Sequence, residues 1–453
     1  MKTRMTPRFR VRAAVPAFAA LLCLLLHGAP AAAQTQSVSS ADRDRGRTML
    51  RDMKEDIKKH YYDPSFHGVD LDARFKAAEE KMKTAATLGQ VFGIIAQAMV
   101  DLNDSHTFFV PPSRITRTEY GWQMQMVGDR CFVSAVKPGS DAEAKGLKVG
   151  DEIVSVDNFG PTRDNFWKLQ YLYYTLNPKP GVRVVAVSPD DKERQLDLMS
   201  SVRQMKQTLD LTLRDGGNDF FNIIREAANE SRVNRHRYYE PGDEVFIWKM
   251  PQFDLSEAEV DEMMGKVRGH KALVLDLRGN SGGMVLTLQR LVGHFFDRDV
   301  KIADLKGRKE MKPMTAKTRG DKVFEGKVVV LIDSRSGSAS EVFARVMQLE
   351  ERGTVIGDQS AGAVMMSRRH GHHIGVDVVA LYGSSVTEAD LIMADGKSLE
   401  RVGVTPDERL LLTGADLAAQ RDPVLARAAE LVGVKLDPAQ AGALFPIEWA
   451  PTR

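Results

Sequence analysis

The second half of the chain alternates apolar runs with helical segments, and this alternation constrains the fold more than any other feature. Short apolar runs typical of buried strands lie at 245–248, 272–275, 328–332 and 354–356. Helical spacing falls between them, around 285–296 and 339–351. Strands that alternate with helices favour an α/β domain. We therefore expect an α/β core domain over residues 244–415.

A small turn joins the third of these strands to the next helix. Residues 336–341 read Ser-Gly-Ser-Ala-Ser-Glu, with Ser338 at the bend. A hydroxyl at a helix N-terminus lies near backbone N–H groups that favour a developing negative charge, so Ser338 is a candidate nucleophile. The same letters fit a capping box, in which Ser340 and Glu341 belong to the helix end and no catalysis is needed.

A second turn, after the 272–275 strand, has the composition of an anion-binding loop. Residues 276–283 read Asp-Leu-Arg-Gly-Asn-Ser-Gly-Gly. The pair Gly282 and Gly283 leaves backbone N–H groups open to a phosphate or an oxyanion. The segment lacks both nucleotide-binding glycine patterns, so a nucleotide site is not expected. A plain strand-to-helix turn is the alternative.

The first 33 residues have the composition of a secretory signal peptide. A basic start precedes an apolar run from Ala13 to Leu26, and cleavage is expected after Ala33. The run is short for a membrane span, and Cys23 lacks a convincing lipobox, so we expect a periplasmic or extracellular protein without stable membrane insertion. Removing five basic residues changes the net charge from +2 to −3, which gives no basis for a nucleic-acid partner.

The remaining segments are predicted from their apolar spacing. Residues 34–115 are expected to form a helical cap, and residues 116–200, where short β-like runs alternate with turn signals, a β module. Residues 201–243 are polar and are interpreted as a connector with some helix. Residues 416–453 are expected to be a C-terminal tail, irregular apart from one helical segment near 420–432.

The β module resembles a PDZ domain. Residues 146–157 follow the PDZ signature, in which a Gly-Asp turn leads into a strand of alternating apolar residues. Tyr120, Gly121 and Trp122 stand where PDZ domains keep the loop that binds a peptide carboxylate while the peptide adds a strand to the sheet. The resemblance implies peptide binding. A module that only packs against its neighbour is the alternative.

Together, the two turn segments, the PDZ-like module and the exported N-terminus resemble the C-terminal processing (tail-specific) serine peptidases over about residues 42–410. The resemblance implies a multidomain α/β protein with a helical N-terminal cap, a PDZ-like β module and a crotonase-like peptidase core. It implies Ser338 as nucleophile. The N–H of Ala339 and one from Gly282 or Gly283, with Gly282 preferred, would form the oxyanion hole. No cofactor and no metal are implied.

One departure from the family changes the expected base. The bacterial processing branch uses a lysine in an F-G-K-G element after the serine, and Ala363 takes that place here. Residues 104–107 instead resemble the D-S-H element of the tricorn-core branch, and residues 395–407 resemble its glutamate element. This resemblance implies His106 as general base, with Ser105 and Glu400 orienting it. A packing histidine and a surface glutamate are the alternatives.

A further cluster, His370, His372 and His373, is interpreted as a solvated or substrate-facing loop, because no Glu or Cys stands at metal-ligand spacing. We expect an exported serine endopeptidase acting on protein or peptide substrates. The main alternative is a non-catalytic peptide-binding scaffold. A second is binding or hydrolysis of small hydrophobic ligands, which distant retinoid- or lipid-binding relatives suggest. No oligomeric state is predicted.

Overall fold

The computed structural model of the chain describes residues 38–114, 116–204, 235–375 and 379–449. The predicted signal peptide (1–33) and most of the predicted connector lie outside these residues. Where the structure describes the connector, its two ends are short strands. Among the described helices, none has the length and apolar character needed to cross a membrane.

The helices and strands are numbered in chain order. The helices are α1 (Ser40–His60), α2 (Leu71–Met82), α3 (Leu88–Val100), α4 (Asp141–Ala144), α5 (Phe166–Gln170), α6 (Glu257–Val267), α7 (Val285–Val292), α8 (Ala339–Leu349), α9 (Gly414–Ala418), α10 (Pro423–Leu431) and α11 (Pro438–Ala443). The strands are β1 (Phe108–Val110), β2 (Thr116–Glu119), β3 (Trp122–Val127), β4 (Arg130–Val136), β5 (Glu152–Val156), β6 (Gly181–Val187), β7 (Glu193–Met199), β8 (Ser201–Gln204), β9 (Arg237–Tyr239), β10 (Val245–Lys249), β11 (Ala272–Asp276), β12 (Val300–Gly307), β13 (Met314–Ala316), β14 (Lys327–Ile332), β15 (Thr354–Gly357), β16 (Met365–Ile374), β17 (Ala380–Met393) and β18 (Glu408–Arg409). Two short 3₁₀ turns, Phe66–Gly68 and Gly320–Lys322, and a π-helical turn, Tyr171–Leu176, complete the described elements.

The N-terminal region is helical, as the sequence predicts. Helices α1 to α3 are preceded by the N-cap residues Ser39, Asp70 and Thr87, whose side chains each accept a hydrogen bond from the backbone N–H three residues later. Strands β3 to β7 form an antiparallel sheet in chain order, as expected for a PDZ-like module. The helices and this sheet bury their apolar side chains in one shared cluster, so the two regions are packed together.

The core sheet has six strands in the order β18-β15-β14-β11-β10-β9. All neighbours pair in parallel except β9, which runs antiparallel to β10. One apolar cluster joins one face of the sheet to α6, α7 and α8, and a second joins the other face to α10. Both faces are therefore covered, which explains why β11 and β14 are continuous apolar runs.

A second, five-stranded sheet was not predicted. Its long strand β17 pairs antiparallel with β1 and β12 along one edge and with β16 along the other, and β13 pairs with β12. His370, His372 and His373 lie on β16, so the prediction of a loop there is wrong. Because β16 is largely polar, its sequence lacks the apolar alternation by which a strand is usually detected.

The C-terminal segment is more regular than the irregular tail that the sequence suggested. Helices α10 and α11 each begin with proline after an aspartate cap, Asp422 and Asp437. The apolar side of α10 packs on the core sheet, and Arg278 pairs with Asp422 through two hydrogen bonds of 2.9 and 2.7 Å. The segment therefore covers one face of the core sheet.

Candidate active site

The turn before β1 is fixed by the side chain of Asp104. Its Oδ1 accepts hydrogen bonds from the N–H of His106 (2.9 Å), the N–H of Thr107 (2.7 Å) and the hydroxyl of Thr387 on β17 (2.7 Å). The first two bonds form an Asx-type turn. Since β1 itself pairs with β17, the turn holds His106 in a defined place at the edge of the second sheet.

Ser338 lies between β14 and α8 in an unusual backbone conformation. Its φ of 53° and ψ of −119° place a non-glycine residue in the left-handed half of the map, which is strained. Its N–H is shared between the carbonyl of Ala363 (2.8 Å) and the carboxylate of Glu341 (3.0 Å). The surrounding structure thus holds the strained turn, and the side chain of Ser338 is only partly buried.

The fold brings the four predicted site residues into one continuous row. Nε2 of His106 lies 3.3 Å from Oγ of Ser338, although the two residues are 232 positions apart. On the other side of the ring, Nδ1 lies 2.8 Å from Oγ of Ser105, and that hydroxyl donates to Oε2 of Glu400 at 2.8 Å. The N–H of Ser105 also donates to Glu400, at 2.8 Å.

The row determines which ring nitrogen of His106 carries the proton. A hydroxyl has one proton to donate, and Ser105 gives it to Glu400, so its oxygen accepts from Nδ1–H of the ring. Nε2 is then unprotonated and faces Ser338 as an acceptor. This is the tautomer that a general base for the Ser338 hydroxyl requires.

Burial sets the charge of the two titrating groups in this row. It lowers the pKa of His106, against an opposing effect of the Asp104 charge. It raises the pKa of Glu400, although hydrogen bonds from Ser105 and from the N–H of Val364 act in the opposite direction. The neutral imidazole is therefore favoured at neutral pH.

The first glycine of the pair, Gly282, lies directly against Ser338. A Cβ atom on Gly282 would lie 2.6 Å from Cβ of Ser338 and 3.0 Å from the nitrogen of Ala339, the first residue of α8. The N–H of Gly282, however, already donates to Oδ1 of Asn280 at 2.8 Å. Among the described residues the N–H of Gly283 has no acceptor, whereas that of Gly282 is already bonded.

Glu341 does more than the predicted helix cap. It is fully buried, and beyond Ser338 its carboxylate accepts from the Ser360 hydroxyl (2.6 Å) and the N–H groups of Gly362 (2.7 Å) and Ala363 (2.9 Å). Burial raises its pKa to about 7 against these donors. The S-x-x-E pattern marked this residue, but its hold on the 360–363 loop depends on tertiary structure.

Asn280 is a positioning residue that the sequence analysis missed. It is fully buried, and its side-chain amide donates to the carbonyl of Met250 at 2.9 Å. The backbone carbonyl of Asn280 accepts hydrogen bonds from the N–H of Gly337 (2.9 Å) and the hydroxyl of Ser340 (2.8 Å). Asn280 therefore joins the glycine loop to the turn that carries Ser338. Its position inside the 276–283 segment was the signal available in the sequence.

The predicted peptide-binding loop could contact a peptide through its backbone rather than through its side chains. Tyr120 and Trp122 are 4% and 5% exposed, and the Tyr120 hydroxyl is bonded to the backbone of Tyr173 and Lys179. Gly121 has a φ of 74°, which suits a turn. The strand that follows, β3, is at the edge of its sheet among the described strands, so this edge is where an added strand could pair.

Two segments of the chain match known family models. The profile of peptidase family S41 matches residues 245–410, and that of the PDZ domain matches residues 111–165. A tail-specific protease of Haemophilus influenzae is 25% identical over 358 residues, which is 74% of this chain and 48% of that protein. A chloroplastic C-terminal processing peptidase of Tetradesmus obliquus is 24% identical over 372 residues, covering 78% and 75% of the two chains.

The crystal structure of mature CPAF has a TM-score of 0.62 to this chain at 15% identity, and the similarity covers 84% of this chain and 95% of that one. This likeness shows a shared fold. The chain spans about half the length of the Haemophilus relative, 48%. The S41 match, the PDZ match and the relatives named for tail-specific or C-terminal processing activity support a serine-type peptidase that carries a PDZ domain.

Proposed function

We propose that this chain is an exported serine endopeptidase in which Ser338 is the nucleophile and His106 is the general base. The observation that carries the proposal is the 3.3 Å contact between Nε2 of His106 and Oγ of Ser338. In apo enzymes such contacts are often slightly long and shorten when substrate binds. The lysine of the bacterial branch has no counterpart, because Ala363 stands at that place.

The reaction follows from the row of contacts. Nε2 of His106 takes the hydroxyl proton as Oγ of Ser338 attacks the peptide carbonyl carbon, and the carbonyl oxygen becomes an oxyanion. The N–H groups of Ala339 and Gly283 would stabilise it, each lowering the barrier by about 3 kcal/mol. His106 then gives the proton to the leaving amine, and later activates the water that hydrolyses the acyl-enzyme.

Ser105 and Glu400 serve the charge that develops on His106. When the ring gains a second proton, the negative charge of Glu400 stabilises the imidazolium through the Ser105 hydroxyl. The same two bonds hold Nδ1–H in place, so the ring cannot turn away from Ser338 without losing them. We assign both residues to positioning and charge stabilisation.

The substrates we propose are polypeptides with an accessible C-terminal or unstructured segment. The relatives are named for tail-specific and C-terminal processing activity. The free edge of β3 beside the Tyr120–Trp122 loop would bind such a segment as an added strand. The signal-like first 33 residues support an exported location.

The test is cleavage of an unfolded polypeptide, followed by mass spectrometry of the products. The wild-type chain is expected to cleave, and Ser338→Ala to abolish cleavage while changing the free energy of unfolding by no more than about 1–2 kcal/mol, the range of a lost helix cap. His106→Ala should lower turnover by about 10²–10⁴-fold. His373→Ala, an exposed histidine on β16, is the control and should cleave normally. Binding without cleavage by the wild type would support the scaffold alternative.

A further inference from the structure

Three side chains of types that can bind a metal ion lie close together, away from the proposed catalytic residues. His60 is the last residue of α1, His370 lies on β16 and Glu388 lies on β17. One ligand atom from each lies within 4.8 Å of the other two, and all three residues are half-buried. The glutamate that the sequence around His370 lacked is thus supplied by the neighbouring strand.

The packing of α1 on the second sheet produces this cluster. One helical turn before His60, Asp56 is bonded to Nε2 of His372 at 2.8 Å and to the Ser384 hydroxyl at 2.6 Å. His370 lies two residues from His372 and therefore on the same face of β16. The helix and the strand run side by side here, so Asp56 meets His372 and His60 meets His370.

We propose that His60, His370 and Glu388 bind one Zn²⁺ ion, with water at the fourth position. Two imidazoles and one carboxylate are a donor set that zinc accepts. Tetrahedral bonds of about 2.0–2.1 Å separate ligand atoms by about 3.4 Å, so the three side chains must approach by about 1.4 Å at most. Side-chain rotation alone can supply a movement of this size.

One buried ring nitrogen in this cluster lacks a hydrogen-bond partner within the part of the chain that the structure describes. Nε2 of His370 is buried and has no hydrogen-bond partner among the described residues. Its ring stacks on that of His60, with ring centroids 4.1 Å apart. A buried ring nitrogen without a partner is unfavourable, and a metal ion would satisfy it.

Two cationic side chains are neighbours of the proposed Zn²⁺ ligands. Nε of Arg368 lies 3.4 Å from Oε2 of Glu388, and Lys59 precedes His60. The Arg368 side chain is 70% exposed, so its ion pair contributes little and the guanidinium can turn into solvent. The two rings are stacked, so one of them must rotate about its side-chain bonds before both ring nitrogens can face one ion.

The ion would stabilise the fold without joining the chemistry. Next to Glu388, the carbonyl of Thr387 accepts from the N–H of Tyr62 at 2.9 Å, and the Thr387 hydroxyl donates to Asp104. The ion would therefore tie the end of α1 to the strand that holds the His106 turn. None of its three ligands contacts Ser338.

The test uses untagged mature protein, freed of metal by a chelator and dialysed, and titrated with Zn²⁺ in a calorimeter. We expect one Zn²⁺ per chain and a higher thermal midpoint in its presence. His60→Ala, His370→Ala and Glu388→Gln should each weaken Zn²⁺ affinity by at least about tenfold. His373→Ala, on the opposite face of β16, is the matched control and should bind as the wild type does.

Co²⁺ gives a second measurement that needs no variant. Bound to the wild-type protein in a four-coordinate site, it should produce visible absorption that one equivalent of Zn²⁺ removes. Absence of saturable Zn²⁺ binding would overturn the proposal, and so would equal affinity in the wild type and the three ligand variants. Because neither readout measures peptide cleavage, the result is independent of the proposed function.

Discussion

The protonation of His106 follows from two local causes that act together. Burial lowers the pKa of the ring, and the Ser105–Glu400 pair fixes the proton on Nδ1. The ring is therefore neutral, with Nε2 free to accept the Ser338 proton, at pH values where an ordinary histidine is partly charged. A neutral imidazole in this position can serve as the proposed base without a lysine at position 363.

The pH dependence of turnover tests this protonation state. Only the neutral ring can act as base, and its pKa is lowered from 6.5, so kcat/KM should stay high as the pH falls to 6.5 and decline only below that value. The measurement is kcat/KM for a peptide substrate from pH 4.5 to 8. A decline centred above pH 7 would mean that a different group is the base.

Glu341 should make stability depend on pH in a defined window. Its pKa is about 7 in the folded protein and about 4.5 in an unfolded chain, so between these values the folded state binds more protons. The free energy of unfolding should then fall as the pH rises from about 4.5 to 7, by up to about 3 kcal/mol.

The variant Glu341→Gln isolates this effect, because glutamine does not titrate. Urea unfolding of both proteins at several pH values should give a difference in stability that changes across the window. Curves that stay parallel from pH 4.5 to 7 would show that Glu341 does not hold a proton in the folded state.

At the scale of single residues, the resemblance supplied Ser105, His106, Ser338 and Glu400 as candidates, and the structure brings these four into contact. The N–H of Gly282 donates to the side chain of Asn280 two residues earlier, which is a local Asx-type turn. An asparagine two places before a glycine is a local signal for this bond, and the prediction of Gly282 as oxyanion donor did not use it.

Among the elements, the glycine loop and the N-terminus of α8 form the proposed oxyanion site. Gly282 has a φ of 101°, and any Cβ there would crowd both Ser338 and the nitrogen of Ala339. The sequence pattern of a glycine pair after a buried strand predicted an open backbone surface. The close approach of the two turns, with Asn280 between them, explains why no side chain fits at position 282.

The substitution Gly282→Ala should therefore impair catalysis and also lower stability, because alanine is strained at a φ of 101°. We expect turnover to fall by about 10²–10³-fold, the effect of disturbing an oxyanion donor. Gly371→Ala on β16 is the matched control, since a Cβ there meets nothing within 4 Å. Steady-state kinetics and thermal unfolding of both variants give the comparison, and normal turnover by Gly282→Ala would contradict the assigned geometry.

The strands of the two sheets differ in how readily they can be predicted from the sequence. The strands of the core sheet are buried on both faces, so β10, β11, β14 and β15 appear as continuous apolar runs and were predicted. The second sheet contains the largely polar strand β16 and strands that pair over long sequence distances, such as β1 with β17. Pairing of this kind leaves no local pattern, and the His106 turn depends on it.

For the whole molecule, one arginine joins the PDZ-like module to the core. Arg163 has hydrogen bonds to the carboxylate of Asp358, the carbonyl of Gly128 (2.9 Å) and the carbonyl of Gln359 (3.0 Å). Asp358 also accepts from the N–H of Gly128 at 2.8 Å. These bonds hold the start of the 358–364 segment, whose later residues contact Ser338 and Glu400.

Replacing Arg163 should loosen this connection. Arg163→Ala removes the cation that is hydrogen-bonded to the buried carboxylate of Asp358 and, among the described residues, leaves only Arg409, at 3.9 Å, so we expect a loss of about 1–3 kcal/mol in stability and faster amide exchange in residues 358–363. Arg183→Ala, which removes an exposed ion pair with Asp197 in the same module, is the control. Hydrogen-exchange mass spectrometry makes the comparison, and equal exchange in both variants would show that Arg163 does not hold the segment.

Labelling by a fluorophosphonate probe shows whether His106 activates Ser338, because the probe reacts with an activated serine. The folded wild type should be labelled at Ser338, with the site located by mass spectrometry, and His373→Ala should react at the same rate. His106→Ala should react about 10²–10⁴-fold more slowly. Labelling of His106→Ala at the wild-type rate, or a folded wild type that does not react, would rule out His106 as the base for Ser338.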